Sequence, residues 1–320
     1  MRILRISTLI LIAVIRSLTL SAGNETEVEK ALSNVDLLLD NGDIKKAIKT
    51  LDKAINLYPQ NAELLSTRSG LFILMDRSKE AKRDAYAAIQ ADPYSCRANF
   101  AMSQFHIMQD ASDSALWCIN RAKNMIADDS MKESVFGLKG KIHLERNELY
   151  DAESALIEAG LCQEVSMNTM RDLATALHMR GKDEEAIIIL KETLDMFGED
   201  MESYINAGYM CNQVGWYDEA ITYLTEALAL ESTQPFALSN LAYSQLMIGH
   251  AEEALKTVKQ SLDNDNSNAF AYKVKGQILE QMGEPALACK EYKKAVLMGY
   301  GVLYDVKEIS LLIISACNTE

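Results

Sequence analysis

Aromatic residues, prolines and basic residues are scarce in this sequence. Aromatic residues make up 7% of the 320 residues and there are only four prolines, so we expect a core built mostly from Leu, Ile, Ala and Met. Hydrophobic residues reach 48%, which argues against intrinsic disorder. The formal charge of −14 would repel phosphate backbones and anionic lipid, so no nucleic-acid partner is predicted.

Motifs of catalysis and metal binding are also missing. There is no glycine-rich phosphate loop, no H-E-x-x-H motif, no nucleophile elbow and no cluster of carboxylates at ligand spacing. No two of the six cysteines have the C-x-x-C spacing of a zinc or redox site. We therefore predict no catalytic residues, no cofactor and no metal site. An enzyme with a cryptic site is the disfavoured alternative.

The cysteines are interpreted mainly as small buried hydrophobic residues. Their positions in the predicted helices suggest no disulfide framework. The six are Cys96, Cys118, Cys162, Cys211, Cys289 and Cys317. Their even number would permit disulfides in an oxidising compartment, and the sequence does not decide whether any form.

Residues 1–23 have the pattern of a secretory signal peptide. Two arginines precede an uncharged, mostly apolar run from Ile6 to Ile15, and Arg16 and a few small residues follow it. This run has ten residues, which suits a signal peptide and falls short of the roughly 20 needed to span a bilayer. We predict cleavage near Ala22 or Gly23 and an exported protein, periplasmic or secreted. The alternative is an uncleaved segment that anchors the chain in a membrane, with Arg16 reaching the interface.

Alanines recur along the chain with a period of 34 residues, apart from one three-residue insertion near residues 128–131. The aligned alanines are Ala47, Ala81, Ala115, Ala152, Ala186, Ala220, Ala254 and Ala288. A second small residue follows each alanine by seven residues, in the series Ala54, Ala88, Ala122, Ala159, Thr193, Ala227, Ser261 and Ala295. A fixed period of this size predicts a repeat array in which each unit buries its apolar face against its neighbours.

Each repeat is predicted to be a hairpin of two helices. Apolar residues recur with helical spacing over two stretches of about a dozen residues, separated by a turn that often carries Gly. A small residue on the first helix would let the two helix axes approach closely where they cross. At that position the later units have Gly140, Ala174, Gly208, Ala242 and Gly276, and the first three have Val35, Ser69 and Ser103.

This pattern resembles the tetratricopeptide repeat in its length, in its small residues at both helix crossings and in the prolines that close two units, Pro59 and Pro93. The resemblance implies an all-α fold, an α-solenoid (superhelix) of about eight helical hairpins. It places the hairpins at 28–61, 62–95, 96–129, 133–166, 167–200, 201–234, 235–268 and 269–301. Residues 302–320 then form a C-terminal capping segment, whose remaining apolar side is expected to serve self-association or a partner.

The resemblance also implies that the first helices line a concave, peptide-binding groove. The groove residues predicted from it are Arg171, Ile205, Asn206, Tyr209, Asn212, Phe236, Asn240, Tyr243, Lys273 and Gln277. Asn206 and Asn240 resemble the asparagine ladder by which some family members hold the backbone of an extended peptide, although asparagine is also common there without that role. The carboxylate clamp of some relatives is not predicted, because Phe236 stands where a lysine is needed and Thr175 where an asparagine is needed.

These observations together predict a non-enzymatic interaction scaffold or adaptor, exported, that holds an extended or helical polypeptide in the concave groove of the later units. The alternative is a membrane-anchored envelope assembly factor or co-chaperone. Whether residues 1–22 survive in the mature chain would distinguish the two. Contact with a membrane is expected only if the N-terminal segment is uncleaved, and the partner protein is not identified by the sequence.

Overall fold

The fold is all-α and built from helical hairpins. The computed structural model describes residues 27–126 and 129–317, and within these ranges there is no β-strand. The chain divides into two compact units, one ending at Glu164 and the other beginning at Val165. In each unit the hairpins follow one another in a repeated, solenoid-like arrangement, so the predicted fold class is confirmed.

The first unit holds four consecutive hairpins. Their helices are α1 (residues 27–40), α2 (Ile44–Leu57), α3 (Ala62–Leu74), α4 (Ser78–Ala91), α5 (Cys96–Met108), α6 (Ser112–Lys123), α7 (Asp129–Glu145) and α8 (Leu149–Gly160). In every pair the odd-numbered helix is the first helix of the hairpin. The three-residue insertion falls at the start of α7, which has 17 residues where α5 has 13, so the insertion lengthens a helix.

The second unit holds four more hairpins and a C-terminal segment. Its helices are α9 (Met167–Met179), α10 (Asp183–Phe197), α11 (Met201–Val214), α12 (Tyr217–Leu230), α13 (Pro235–Met247), α14 (Ala251–Asn264), α15 (Ala269–Gln281), α16 (Pro285–Leu297), α17 (Tyr300–Leu303) and α18 (Val306–Cys317). Here too the first helix of each hairpin, α9 to α15, has an odd number.

Local signals set the two ends of each first helix. Most first helices begin at a polar side chain that accepts a hydrogen bond from the backbone N–H three residues on, as Ser95 does from Ala98 and Asp200 from Ser203. Each hairpin turn then contains one residue in the left-handed backbone region. Five turns use Gly, and the other three use Asp76, Asp110 and Asn147 with φ of 54 to 58°. Asp and Asn tolerate this conformation best after Gly, so these turns form without the glycine signal.

The alanine series lies at the centre of both units. All eight aligned alanines are 0% exposed, and each member of the second small series is buried as well. The periodicity therefore locates the contact between the two helices of every hairpin, as expected from the spacing.

Helix crossings are close where the sequence has glycine. A Cβ added at Gly140 would lie 2.4 Å from Cγ of Leu156, and one added at Gly276 would lie 2.4 Å from Cε1 of Tyr292. Both partner side chains are fully buried. These distances are well inside van der Waals contact, so the crossing requires a residue without a Cβ.

Serine at the crossing has a different role. The Ser69 hydroxyl is fully buried and donates a hydrogen bond of 2.9 Å to the carbonyl of Ala81. Ser103 makes the equivalent bond, also of 2.9 Å, to the carbonyl of Ala115. In these two hairpins a polar bond therefore joins the first helix to the second at the place where the later hairpins use tight apolar packing.

The C-terminal helix α18 packs on α16. Ile309 and Ala316 are buried in this contact, at 1% and 2% exposure. A disulfide joins Cys289 of α16 to Cys317 at the end of α18, with 5.2 Å between their Cα atoms. The interpretation of the cysteines as residues without a disulfide framework is therefore wrong for this pair. The terminal helix brings together two side chains that are 28 residues apart in the sequence.

No helix within residues 27–126 and 129–317 combines the length and the apolar character needed to cross a bilayer. The predicted signal peptide, residues 1–23, lies outside the described residues. Export thus remains a prediction from the sequence.

Candidate functional site

The second unit contains a cavity of about 530 Å³, which we call the groove cavity. Its walls are formed by residues of α11, α13 and α15, by the residue before α13, and by the link between α17 and α18. Its lining residues are Glu202, Ile205, Asn206, Tyr209, Gln234, Phe236, Asn240, Phe270 and Tyr304. Five of the predicted groove residues, Ile205, Asn206, Tyr209, Phe236 and Asn240, are among them. The structure thus brings half of the predicted set together on one surface.

Aromatic residues enter the groove cavity at the repeat period. Phe236, Phe270 and Tyr304 follow one another at intervals of 34 residues, and Glu202 has the same position one period earlier. The ring centroids of Phe270 and Tyr304 are 5.9 Å apart. Phe270 and Tyr304 are absent from the predicted set, although they follow Phe236 by one and by two repeat periods. The cavity therefore has an aromatic wall made of equivalent residues from successive repeats.

Tyr209 lines the groove cavity from α11. Its ring meets the ring of His178 edge to face, with centroids 5.3 Å apart. Burial raises the pKa of the Tyr209 hydroxyl, and the neighbouring Tyr304 and Asp183 raise it further. The hydroxyl therefore keeps its proton at neutral pH, and it can donate a hydrogen bond to a bound molecule.

Two asparagines contribute amide groups to the lining. Asn206 is half-buried, whereas Asn240 is only 6% exposed. The Asn240 Nδ2 donates to the carbonyl of Phe236 at 2.9 Å. Its Oδ1 is buried and has no hydrogen-bond partner in the part of the chain that the structure describes. Both asparagines line the groove cavity, as predicted, but Asn206 is the more accessible of the two.

Asn212 lies between two helices and outside the groove cavity. It is 4% exposed, its Nδ2 donates to the backbone carbonyl of Asn240 at 3.1 Å, and its Oδ1 accepts from the Ser244 hydroxyl at 2.7 Å. Both ends of the amide therefore join α11 to α13. The predicted groove position of Asn212 is corrected to a structural one, because the neighbouring first helix covers that side of α11.

Lys273, Tyr243 and Gln277 are outside the cavity lining. Lys273 is 4% exposed, and its Nζ lies 5.2 Å from the ring centroid of Tyr243 and 2.8 Å from a carboxylate oxygen of Glu308 in α18. Gln277 is half-buried, and its Oε1 has no partner among the described residues. Lys273 was predicted to face the open groove. Instead, a carboxylate of the C-terminal helix balances its charge.

Arg171 reaches the groove cavity only through Glu202. Its guanidinium contacts the Glu202 carboxylate and donates to Asp200 at 3.3 Å and to Asn168 at 2.6 Å. The side chain of Glu202 is 66% exposed. The rim of the cavity therefore carries a solvated ion pair, and such a pair contributes little to stability.

A second cavity, of about 300 Å³, lies in the first unit between α3, α5 and α7. Hydroxyl groups of Ser66, Thr67 and Ser134 line it, and Phe100 is the single aromatic residue in its lining. It lacks the aromatic wall and the paired asparagines of the groove cavity.

One cluster of metal-ligand type occurs within residues 27–126 and 129–317. It consists of His143, Glu148 and Asp151, whose ligand atoms all lie within 4.8 Å of one another. The Oε2 of Glu148 lies 2.7 Å from His143 Nδ1, and its Oε1 accepts from Arg146 at 2.8 Å. The same five-residue spacing pairs His178 with Asp183 in the second unit. We interpret the histidine–carboxylate pair as a repeated stabiliser of the hairpin turn.

Comparisons with known proteins identify the repeat. The model of the tetratricopeptide repeat matches residues 35–61 and 202–234. A curated protein, the TPR repeat-containing protein YpiA of Bacillus subtilis (strain 168), is 25% identical over 267 residues, which cover 78% of this chain and 60% of that protein. The chain therefore spans less than two thirds of the length of this relative.

Several solved structures share the fold. The Cut9-Hcn1 structure, described as an APC/C hetero-tetramer, matches with a TM-score of 0.65 and 13% identity over 89% of this chain and 55% of that one. The pilF structure of Pseudomonas aeruginosa matches with a TM-score of 0.58 and 14% identity over 66% of this chain and 94% of that one. YrrB, described as a TPR protein with an unusual peptide-binding site, matches with a TM-score of 0.52 and 16% identity over 58% of this chain and 95% of that one.

Proposed function

Because this chain belongs to the tetratricopeptide repeat family, whose fold is that of a protein-protein interaction scaffold, we propose that it binds an extended polypeptide in the groove cavity of its second unit. One observation carries the proposal: aromatic rings and amide groups from successive repeats line the same cavity. No catalytic role is assigned to the chain.

The aromatic wall accounts for most of the expected affinity. Rings bring a large apolar surface, and the groove cavity lies within the range of about 300–1,000 Å³ that is typical of binding pockets. Phe236 is 50% exposed, so a bound side chain would remove much of its ring from water. One or two apolar side chains of the partner therefore suit the space between Phe236, Phe270 and Tyr304.

The amide groups favour an extended ligand. An extended chain presents unpaired backbone N–H and C=O groups, whereas those of a helix are already bonded to each other. The Asn206 amide is half-buried and can donate to and accept from such a chain, whereas the Oδ1 of Asn240 is buried. The description of YrrB as a peptide-binding protein supports the same class of ligand.

The cellular setting of the proposed function follows from the N-terminal pattern. We propose that the chain is exported after cleavage near Ala22 or Gly23, and that it acts as a periplasmic or secreted scaffold. A membrane-anchored assembly factor or co-chaperone is the second candidate, favoured if N-terminal sequencing of the mature chain recovers Met1. The exposed apolar residues of α18, Val306, Leu311 and Ile314, support self-association as an added role.

The binding proposal can be tested with a phage-displayed library of short random peptides. The library is selected on the full wild-type chain and then depleted on the Phe236→Ala variant, so that only peptides which need this ring remain. A recovered peptide is then used as a labelled probe in fluorescence anisotropy. We expect Phe236→Ala to weaken the binding of the probe by about tenfold or more, since a buried ring contributes about 1.5–3 kcal/mol.

Two further variants complete the test, one for the amide of Asn206 and one as a control. Asn206→Ala should weaken the probe by about 0.5–1.5 kcal/mol, the usual contribution of a neutral hydrogen bond, without affecting the fold. Phe197→Ala is the matched control, because Phe197 is an exposed aromatic residue of the same unit that lies on α10 and outside the cavity lining. If no recovered peptide depends on Phe236 more than on Phe197, the groove cavity is not the binding site.

A further inference from the structure

The C-terminal segment, residues 300–317, supplies one wall of the groove cavity. Tyr304 lies in the link between α17 and α18 and is one of the cavity-lining residues. Its ring stacks on that of Tyr300 with centroids 4.7 Å apart, and Tyr300 is 2% exposed. The position of this segment therefore decides whether the cavity keeps its last aromatic residue.

Non-covalent contacts join the segment to α15 and α16, among them a hydrogen bond of 3.2 Å from the Ser315 hydroxyl to Glu280. Glu308 pairs with Lys273 at 2.8 Å and accepts from the Tyr300 hydroxyl at 2.6 Å. On α18 itself, Ile309 and Ala316 are buried and Leu312 and Ile313 are half-buried on the same face, whereas Leu311 and Ile314 are 67% and 57% exposed. α18 therefore packs with one face only and keeps apolar residues in water on the other, so it buries less apolar surface than a helix between two neighbours.

The disulfide between Cys289 and Cys317 supplies the remaining constraint. Both cysteines are half-buried, so a thiol reagent can reach them. Cys118 and Cys211 are buried, and burial raises the pKa of their thiols to about 11 and about 12. A reductant at neutral pH therefore acts on the disulfide while these two thiols stay protonated and inert.

We propose that the Cys289–Cys317 disulfide makes partner binding in the groove cavity depend on redox state. In the oxidised chain α18 is fixed on α16 and Tyr304 completes the aromatic wall. In the reduced chain the segment leaves α16 and the cavity loses that wall. The inference rests on the proposed binding function and adds its regulation.

The reductant required is a dithiol. One of its thiolates attacks a sulfur of the disulfide, which breaks the S–S bond and forms a mixed disulfide. The second thiol of the reagent then displaces the bound cysteine and closes the reagent's own disulfide. Two electrons and two protons pass to the cysteine pair, which ends as two thiols, while the dithiol is oxidised.

The test measures the release of the C-terminal segment and the binding of the peptide separately in the full chain. Hydrogen exchange of residues 300–317 reports release of the segment, and anisotropy of the phage-selected peptide reports binding. Both are measured with and without dithiothreitol for the wild type, for the Cys289→Ser/Cys317→Ser double variant and for Tyr304→Ala. Cys162→Ser is the matched control, because Cys162 is a half-buried cysteine outside the disulfide.

We expect reduction to raise exchange in the segment and to weaken the peptide by about tenfold, the loss of one aromatic contact. The double variant should behave like the reduced chain, Tyr304→Ala should bind weakly in both states, and Cys162→Ser should respond as the wild type does. Equal peptide affinity in both redox states, or a segment that stays protected after reduction, overturns the redox dependence and leaves the binding function standing. A chain that binds no Phe236-dependent peptide in either state overturns both proposals.

Discussion

The close helix crossing in the fourth hairpin makes a sharp test of the packing argument. Gly140 lies inside α7, and a Cβ there would meet Leu156 at 2.4 Å from Cγ and 2.8 Å from Cδ2. Overpacking of this kind destabilises by about 1–3 kcal/mol, and the better helix propensity of alanine returns about 1 kcal/mol. Since Leu156 is fully buried, we expect the overpacking to dominate and Gly140→Ala to lower the free energy of unfolding by up to about 2 kcal/mol.

Gly70 provides the matched control in the same unit. It also lies inside a first helix, but the nearest atom to its added Cβ is Oε1 of Gln104 at 3.8 Å, an ordinary contact. With no clash to offset, Gly70→Ala should raise the free energy of unfolding by about 0.4–1 kcal/mol. The same chemical change is therefore expected to have opposite signs at two positions.

The assay is urea unfolding followed by far-ultraviolet circular dichroism, with a double-mutant cycle to identify the contact. Leu156→Ala alone should destabilise by about 2–5 kcal/mol. In that background the space beside residue 140 is open, so Gly140→Ala should become neutral or favourable, which gives a coupling of about 1–3 kcal/mol. The packing argument is refuted if Gly140→Ala stabilises as Gly70→Ala does, or if its effect is unchanged when Leu156 is absent.

Two other predictions concern polar groups in the core. Ser103→Ala should lower the free energy of unfolding by about 0.5–1.5 kcal/mol in the same urea assay, because it removes the buried bond to the Ala115 carbonyl; an unchanged midpoint would contradict this. Stability should also fall as pH rises from about 9 to about 12, because burial raises the pKa of Cys211 from 9.0 to about 12 and the unfolded chain then loses this proton first. Cys211→Ala should flatten that part of the pH profile, and a profile as steep as the wild type's would show that another group is responsible.

The repeat register could be predicted from sequence because it depends on spacing alone. A small residue that recurs every 34 residues on one helical face has to lie in an equivalent contact each time, and Ala220 and its counterparts are all buried. The same logic gives Phe270 and Tyr304 from Phe236. Tyr304 is the harder of the two to predict, because the residues after Gly301 do not continue as a full hairpin, although one aromatic residue keeps the period.

The burial of individual groove residues could not be predicted in this way. Helical periodicity gives the direction of a side chain, but it does not say how far the next helix extends over it. Asn212 and Asn206 are separated by 120° around α11 at 100° per residue, and α13 covers only the first of them. The disulfide could not be predicted from the sequence for a similar reason. The pairing of Cys289 with Cys317 depends on how the last helix settles on α16, and no repeated spacing determines that.

The differences between the helix crossings have a consequence for folding. Neighbouring units of a repeat array are alike, so a helix can exchange its partner with the wrong hairpin and trap the chain in a misassembled state. A first helix with Ser103 would collide with Leu156 if it met α8, because that leucine fills the space above a glycine. The Gly140 helix placed against α6 would leave the Ala115 carbonyl without its hydroxyl donor. The crossings thus disfavour the exchange of helices between the serine-type hairpins and the glycine-type hairpin of the first unit.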